Sequence, residues 1–185
     1  FSIFNGFVNY YISYIRNNLM YYQGELDSLH SVFMAYLQQT FPDSSFYANA
    51  SHTMRVSYGN ILSLVPSDAV QYSWQTTLTG VMQKKDSTEL EFIVPKKLTT
   101  LYQGKDYFPY SNDSIMPVCF ITNCQTSGGN SGSPVINAKG EIIGINFDRT
   151  WQSTMSDYEF NKQLCRNIAT DIRYILFIID KFADA

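Results

Sequence analysis

Apolar residues recur at helical spacing through the first forty positions, at Phe7, Tyr11, Tyr14 and Ile15 and again at Leu26, Leu29, Val32, Phe33, Tyr36 and Leu37, with no proline before Pro42. The pattern predicts two antiparallel helices that turn near Gln23 and Gly24. Phe41, Pro42, Asp43, Ser44 and Ser45 then punctuate the chain, and the texture changes to short alternating segments at residues 54–58, 61–65, 92–94, 118–121, 134–136 and 141–147. With a hairpin turn over residues 137–140, these segments predict a mixed, mainly β fold: a small barrel or sandwich of about six strands. Residues 95–102 predict a short helix on an excursion from the strands. Near the end, Ile168, Ile172, Ile175, Leu176, Ile179 and Phe182 fall on one stripe of 3.6-residue period, which predicts a C-terminal helix packed on the β domain. Residues 1–48 thus form a helical part and residues 49–185 a β part with a terminal helix.

Composition narrows the function classes. Of 185 residues, 45% are hydrophobic, enough for an ordinary core, and the net charge of −3 without any Lys/Arg run gives no footprint for nucleic acid. The longest apolar run, residues 174–179, is far shorter than the roughly 20 residues of a membrane span. Cys119, Cys124 and Cys165 are too few for a disulfide framework and lack metal-ligand spacing. Asp157, Glu159 and Asp171 likewise show no such spacing with His or Cys, so neither a metal nor a cofactor is expected. The sequons at Asn49 and Asn112 carry little weight. Phe1 opens inside an aromatic stretch with no leader pattern, so the chain is expected to be part of a longer protein.

The chemistry concentrates at Gly128, Gly129, Asn130, Ser131, Gly132, Ser133 and Pro134. A serine hydroxyl becomes a nucleophile only beside a base and near donors that stabilise the oxyanion. Glycines on this turn allow backbone angles that let N–H groups converge on one oxygen. The loop resembles that of chymotrypsin-like serine peptidases, whose plan makes Ser131 the nucleophile and the N–H groups of Gly129 and Ser131 the oxyanion donors. Residues 134–136, the turn and a second strand follow in the same order, which makes Phe147, Asp148 and Arg149 the substrate-binding edge. Many such peptidases have Asp before the nucleophile, where it pairs with a freshly cut N-terminus. Asn130 cannot offer that pair, so no activation of that kind is expected.

Longer motifs sharpen the resemblance. They are residues 128–135, residues 140–149 with Trp151, then Met155, Ser156 and Asp157, then Arg166, Asn167 and Ile168, and finally residues 171–182. They resemble the C-terminal end of the bacterial dipeptidyl-peptidase 7/11 family of chymotrypsin-like serine exopeptidases, and the similarity extends back through residues 54–59 and 77–82. The resemblance implies that residues 1–48 end a helical domain inserted between two catalytic barrels and that residues 49–185 are the second barrel. It assigns Asp148 to the substrate's α-ammonium and Arg149 to an acidic side chain at the second (P1) position, since Arg at this place marks the Asp/Glu-specific type. A guanidinium grips a carboxylate in bidentate fashion. Substrates would be peptides with a free N-terminus; a homodimer in the periplasm or at the cell surface is a further family implication.

A triad also needs a His base and an Asp to orient it. His30, in a helical stretch, reads as a surface or packing residue, and His52, at the first strand, reads as structural. The chain is therefore expected to carry a nucleophile without its activator and to be inactive alone. Ser133 enters the strand beside Pro134 and fits a packing role better than a nucleophilic one; Phe147 and Trp151 fit either a pocket or a core. Asp171 and Arg173 are expected to form a structural ion pair, and Cys165 a buried thiol. Two alternatives stay open: a glutamyl endopeptidase, which shares the nucleophile motif, and a non-catalytic peptide-binding module of the same fold.

Overall fold

The computed structural model describes residues 2–42, 54–111 and 114–185, which divide into two compact units, Phe1–Ala48 and Asn49–Ala185. His52 and both sequon asparagines lie outside the described residues. In the first unit, α1 (Ser2–Tyr10), a π-helical stretch (Tyr11–Arg16) and α2 (Asn17–Thr40) follow one another without a break. At 1.5 Å per residue they span roughly 58 Å. The expected turn at Gln23 and Gly24 is absent. One glycine costs a helix only about 1 kcal/mol, and hydrogen bonds of four-residue spacing run across the site, from Gln23 Nε2 to Asp27 Oδ1 and from Ser28 Oγ to the Gly24 carbonyl, both 2.9 Å. The helix stops where Pro42 excludes helical angles from the residue before it: Phe41 sits at φ −126°, ψ 68°. No described helix is long and apolar enough to cross a membrane.

The second unit holds a hairpin of β1 (Leu64–Ser67) and β2 (Val70–Tyr72), and an antiparallel five-stranded sheet. The sheet runs β3-β4-β7-β6-β5, made of β3 (Gln75–Thr77), β4 (Pro117–Thr122), β5 (Pro134–Ile136), β6 (Ile142–Arg149) and β7 (Asn167–Asp171). The strands expected at residues 118–121, 134–136 and 141–147 are present, and residues 61–65 enter β1 only at Leu64. Residues 54–58 and 92–94 form no strand; Leu90–Phe92 is a single 3₁₀ turn. The unit also holds helices α3 (Leu78–Gln83), α4 (Lys96–Gly104), which covers the predicted excursion, and α5 (Ile172–Phe177), which continues into a π-helical turn, Ile178–Phe182.

The C-terminal helix begins later than its apolar stripe implied. Ile168 belongs to β7, opposite Ile121 of β4 and Asp148 of β6. The core-facing side is also different: Phe177 is fully buried among Leu78, Leu98, Tyr107 and Met116, with Tyr174, Ile178 and Phe182 packed alongside, whereas Leu176 and Ile179 are exposed. A segment that is apolar nearly all round has no face that periodicity can select. Tyr107 meets Phe177 edge-on at 5.9 Å between ring centroids, a geometry the ring quadrupoles favour.

Asp171 ends β7 and caps α5. Its buried carboxylate accepts the Arg173 backbone N–H at 3.0 Å and the Arg173 Nε and Nη2 at 2.9 and 2.7 Å. Replacing Asp171 by Ala is expected to lower stability by about 1–2 kcal/mol, through the lost cap, read as a lower urea midpoint at unchanged slope. Asp171→Asn, which keeps an acceptor, is expected to lose less.

Candidate active site

The loop that carries Ser131 lies between β4 and β5, and backbone bonds brace it. The Asn130 N–H donates to the Ser127 carbonyl at 3.2 Å and the Ser133 N–H to the Asn130 carbonyl at 3.0 Å. Gly129 and Gly132 adopt φ 91° and 84°, in the region that disfavours any side chain. Beyond them, the Gly132 N–H donates to the Asn146 carbonyl and the Asn146 N–H to the Ser133 carbonyl, at 2.8 and 2.9 Å, which lash the loop to β6. Among the described residues, the N–H groups of Gly129 and Ser131 donate to no protein acceptor. These two N–H groups are the donors expected at the oxyanion site.

Ser131 is exposed, and its Oγ donates to the Phe147 carbonyl at 3.3 Å. The β6–β7 register shifts between Asn146 and Asp148, which leaves Phe147 in a bulge; bulges re-aim groups at the edge of functional clefts. Sequence order alone placed Phe147, Asp148 and Arg149 downstream, and the fold brings the first of them into hydrogen-bond reach of Ser131. Asp148 is exposed and its Oδ1 accepts the Arg149 backbone N–H at 2.7 Å. Phe147 and Trp151 are both exposed on this unit and pack in no part of its core.

Arg149 is more tightly engaged than its sequence context revealed. Its Nη1 and Nη2 donate to Asp157 Oδ1 and Oδ2 at 2.7 and 3.0 Å, and Nη1 also donates to Ser156 Oγ at 2.7 Å. Both acceptors end a 3₁₀ stretch, Trp151–Asp157, fixed by buried Ser153: its hydroxyl donates to the Arg166 carbonyl and accepts the Arg166 N–H, at 3.0 and 2.7 Å. The hydrogen bond from Arg149 lowers the Asp157 carboxyl from its ordinary value.

A chain of buried amides runs beneath the loop. Thr122 Oγ1 of β4 donates to Asn167 Oδ1 of β7, Asn167 Nδ2 to Asn146 Oδ1 of β6 at 2.6 Å, and Asn146 Nδ2 to the Asn130 carbonyl at 3.1 Å. Thr122, Asn146 and Asn167 are all buried. Asn146 and Asn167 fall inside the motifs that carry the family resemblance, but nothing in the sequence pattern points to a role for any of the three. His30 lies exposed on α2, and burial pushes the Cys119 thiol up, away from the nucleophilic thiolate.

Residues 8–185 match the family model of peptidase S46. The chain is 44% identical over 161 residues to an Asp/Glu-specific dipeptidyl-peptidase of Flavobacterium psychrophilum, an overlap of 87% of this chain and 23% of that protein. It is 47% identical over 157 residues to dipeptidyl-peptidase 7 of Phocaeicola vulgatus, covering 84% and 22%. Among solved structures, Porphyromonas endodontalis DPP11 in complex with the dipeptide Arg-Asp superimposes with a TM-score of 0.68 at 49% identity, over 69% of this chain and 19% of that one. The chain spans under a quarter of the length of these curated relatives. With the match beginning at residue 8 and running to the last residue, the chain belongs to the peptidase S46 family.

Proposed function

We propose that these residues are the nucleophile-bearing part of a serine dipeptidyl-peptidase that removes dipeptides ending in Asp or Glu from free N-termini. Residues 49–185 serve as the second of two chymotrypsin-like barrels, residues 1–48 as the end of an inserted helical domain, and the His and Asp of the triad come from outside this chain. Alone, these 185 residues would then hold a nucleophile without its base. The full enzyme is proposed to act as a homodimer in the periplasm or at the cell surface.

The observation that carries this proposal is the junction at Phe147. The strand whose carbonyl receives Ser131 Oγ runs directly into Asp148 and Arg149, so nucleophile, ammonium partner and carboxylate partner are gathered at one end of β6. In the proposed reaction Ser131 Oγ attacks the carbonyl carbon of the second residue while the base takes its proton, and the N–H groups of Gly129 and Ser131 receive the oxyanion. The tetrahedral intermediate collapses, the shortened peptide leaves as an amine with that proton, and water releases the dipeptide from Ser131. Asp148 fixes the register by pairing with the α-ammonium, and Arg149 selects the P1 side chain.

The full-length enzyme, assayed on dipeptidyl amides with Asp, Glu or Leu in second place, is expected to prefer the acidic pair by roughly 10²-fold, the scale of a charge-assisted hydrogen bond. Acetylating the substrate N-terminus should abolish turnover. Comparable cleavage of blocked peptides after Glu would instead identify an endopeptidase.

A further inference from the structure

Asn130 stands where related loops carry an aspartate that needs a cationic partner, and a cation is found beside it. Arg55 Nη2 donates to Asn130 Oδ1 at 2.8 Å and to Ser127 Oγ at 3.1 Å. Asn130 Oδ1 also accepts the Ser127 N–H at 2.9 Å, and the Asn130 N–H returns to the Ser127 carbonyl. Ser127 and Asn130 are therefore the two ends of a four-residue turn, and Arg55 grips both. Between them sit Gly128 and Gly129, two residues with little of their own to hold a peptide plane in place.

The Gly129 N–H, one of the two proposed oxyanion donors, hangs from that turn. The other, on Ser131, is aimed differently. In a planar trans peptide the C=O and the following N–H point opposite ways, and the Asn130 carbonyl is fixed by Asn146 Nδ2 and the Ser133 N–H. That leaves the Gly129 donor dependent on the turn, and the turn on Arg55. The segment carrying Arg55 is itself docked alongside: Ser57 Oγ donates to the Gln125 carbonyl at 2.6 Å, the Asn60 N–H to Asn123 Oδ1 at 2.6 Å and the Asn123 N–H to the Asn60 carbonyl at 3.1 Å. A side chain at Gly59 would come within 2.9 Å of the Cys124 backbone nitrogen, so this approach is closer than any other residue permits.

We infer that Arg55 is a positioning residue that staples the Ser127–Asn130 turn and so keeps the Gly129 N–H aimed at the oxyanion, giving a loop assembled by an internal guanidinium rather than by a newly cut N-terminus. The inference rests on Ser131 being the nucleophile. It needs no contact between Arg55 and substrate.

The test uses the full-length enzyme with Arg55→Met and Arg55→Lys. Arg55→Met is expected to lower kcat on an Asp-containing dipeptidyl amide by 10- to 100-fold, part of the roughly 10²–10³ lost with a whole oxyanion donor, with KM within twofold of wild type. A dipeptide boronic acid, whose tetrahedral adduct on Ser131 uses the same donors, should lose affinity in parallel, while affinity for the dipeptide product holds. Arg55→Lys, which keeps the charge but not the planar fork, should recover part of the loss and carries the test if the Met variant does not fold. Wild-type kcat and boronate affinity in both variants would overturn the inference, as would equal loss of product and boronate affinity. Ser131→Ala separates the premises: if it retains activity, the nucleophile assignment fails, and if it is inactive while Arg55→Met is not, only the role of Arg55 fails.

Discussion

Ser131→Ala in the full-length enzyme is expected to lower kcat on dipeptidyl substrates by on the order of 10⁶, with product affinity unchanged, because removal of the nucleophile disables the whole base–nucleophile unit at once. The loop should survive the change. Its backbone bonds, Gly132 N–H to Asn146, Asn146 N–H to Ser133 and Ser133 N–H to Asn130, and the side-chain bonds from Arg55 and Asn146 do not involve the hydroxyl. The single bond lost, from Oγ to the Phe147 carbonyl, is long and exposed. Both proposed oxyanion donors also remain, so residual catalysis of about 10³–10⁴ over water is expected. The measurement is single-turnover hydrolysis beside calorimetric binding of the dipeptide; retained turnover would remove Ser131 from the mechanism.

The second large effect is expected at the pocket. Arg149→Gly should lower kcat/KM for Asp- and Glu-containing substrates by about 10²–10³-fold, the cost of truncating one partner of a desolvated charge pair, and raise it for Leu. Two causes act in the same direction. The guanidinium proposed to grip the substrate carboxylate is gone, and Asp157, whose charge Arg149 neutralises in a bidentate pair, is left exposed to repel an acidic side chain. The double variant Arg149→Gly with Asp157→Asn removes the repulsion alone and should recover part of the loss for Asp and Glu. A preference for acidic substrates that survives Arg149→Gly would dismiss Arg149 as the selector.

Much of this site was legible because its signals are local. Gly129, Ser131 and Gly132 announce a strained turn by residue type, and β5 and β6 announce themselves by alternation about the turn at residues 137–140. Where the sequence misled, a long-range contact or a buried polar group was the cause. β7 is built from Asn167, Thr170 and Asp171 beside Ile168 and Ala169, and its buried amide and carboxylate disguise it as the approach to a helix. Asn146 and Asn167 look solvated until their side chains are seen bonded to each other. Arg55 is 75 positions from Asn130, and no spacing rule links them. Asp157 reaches Arg149 only because an unforeseen 3₁₀ stretch folds it back. The first helices failed for a simpler reason: Gly24 was credited with a turn that a lone glycine does not make.

The buried amide chain from Thr122 through Asn167 and Asn146 to the Asn130 carbonyl has a thermodynamic consequence. A surface loop ordinarily opens by a local fluctuation costing far less than global unfolding, and its amides exchange with solvent accordingly. This loop is tied through side-chain amides to three neighbouring strands, β4, β7 and β6. To release Asn130 is to strand the buried Asn146 amide without its acceptor, a cost of about 1–3 kcal/mol, so the loop should open less readily than a loop held by exposed bonds alone. The loop's shape and the packing of β6 against β7 are, in that sense, coupled through Asn146.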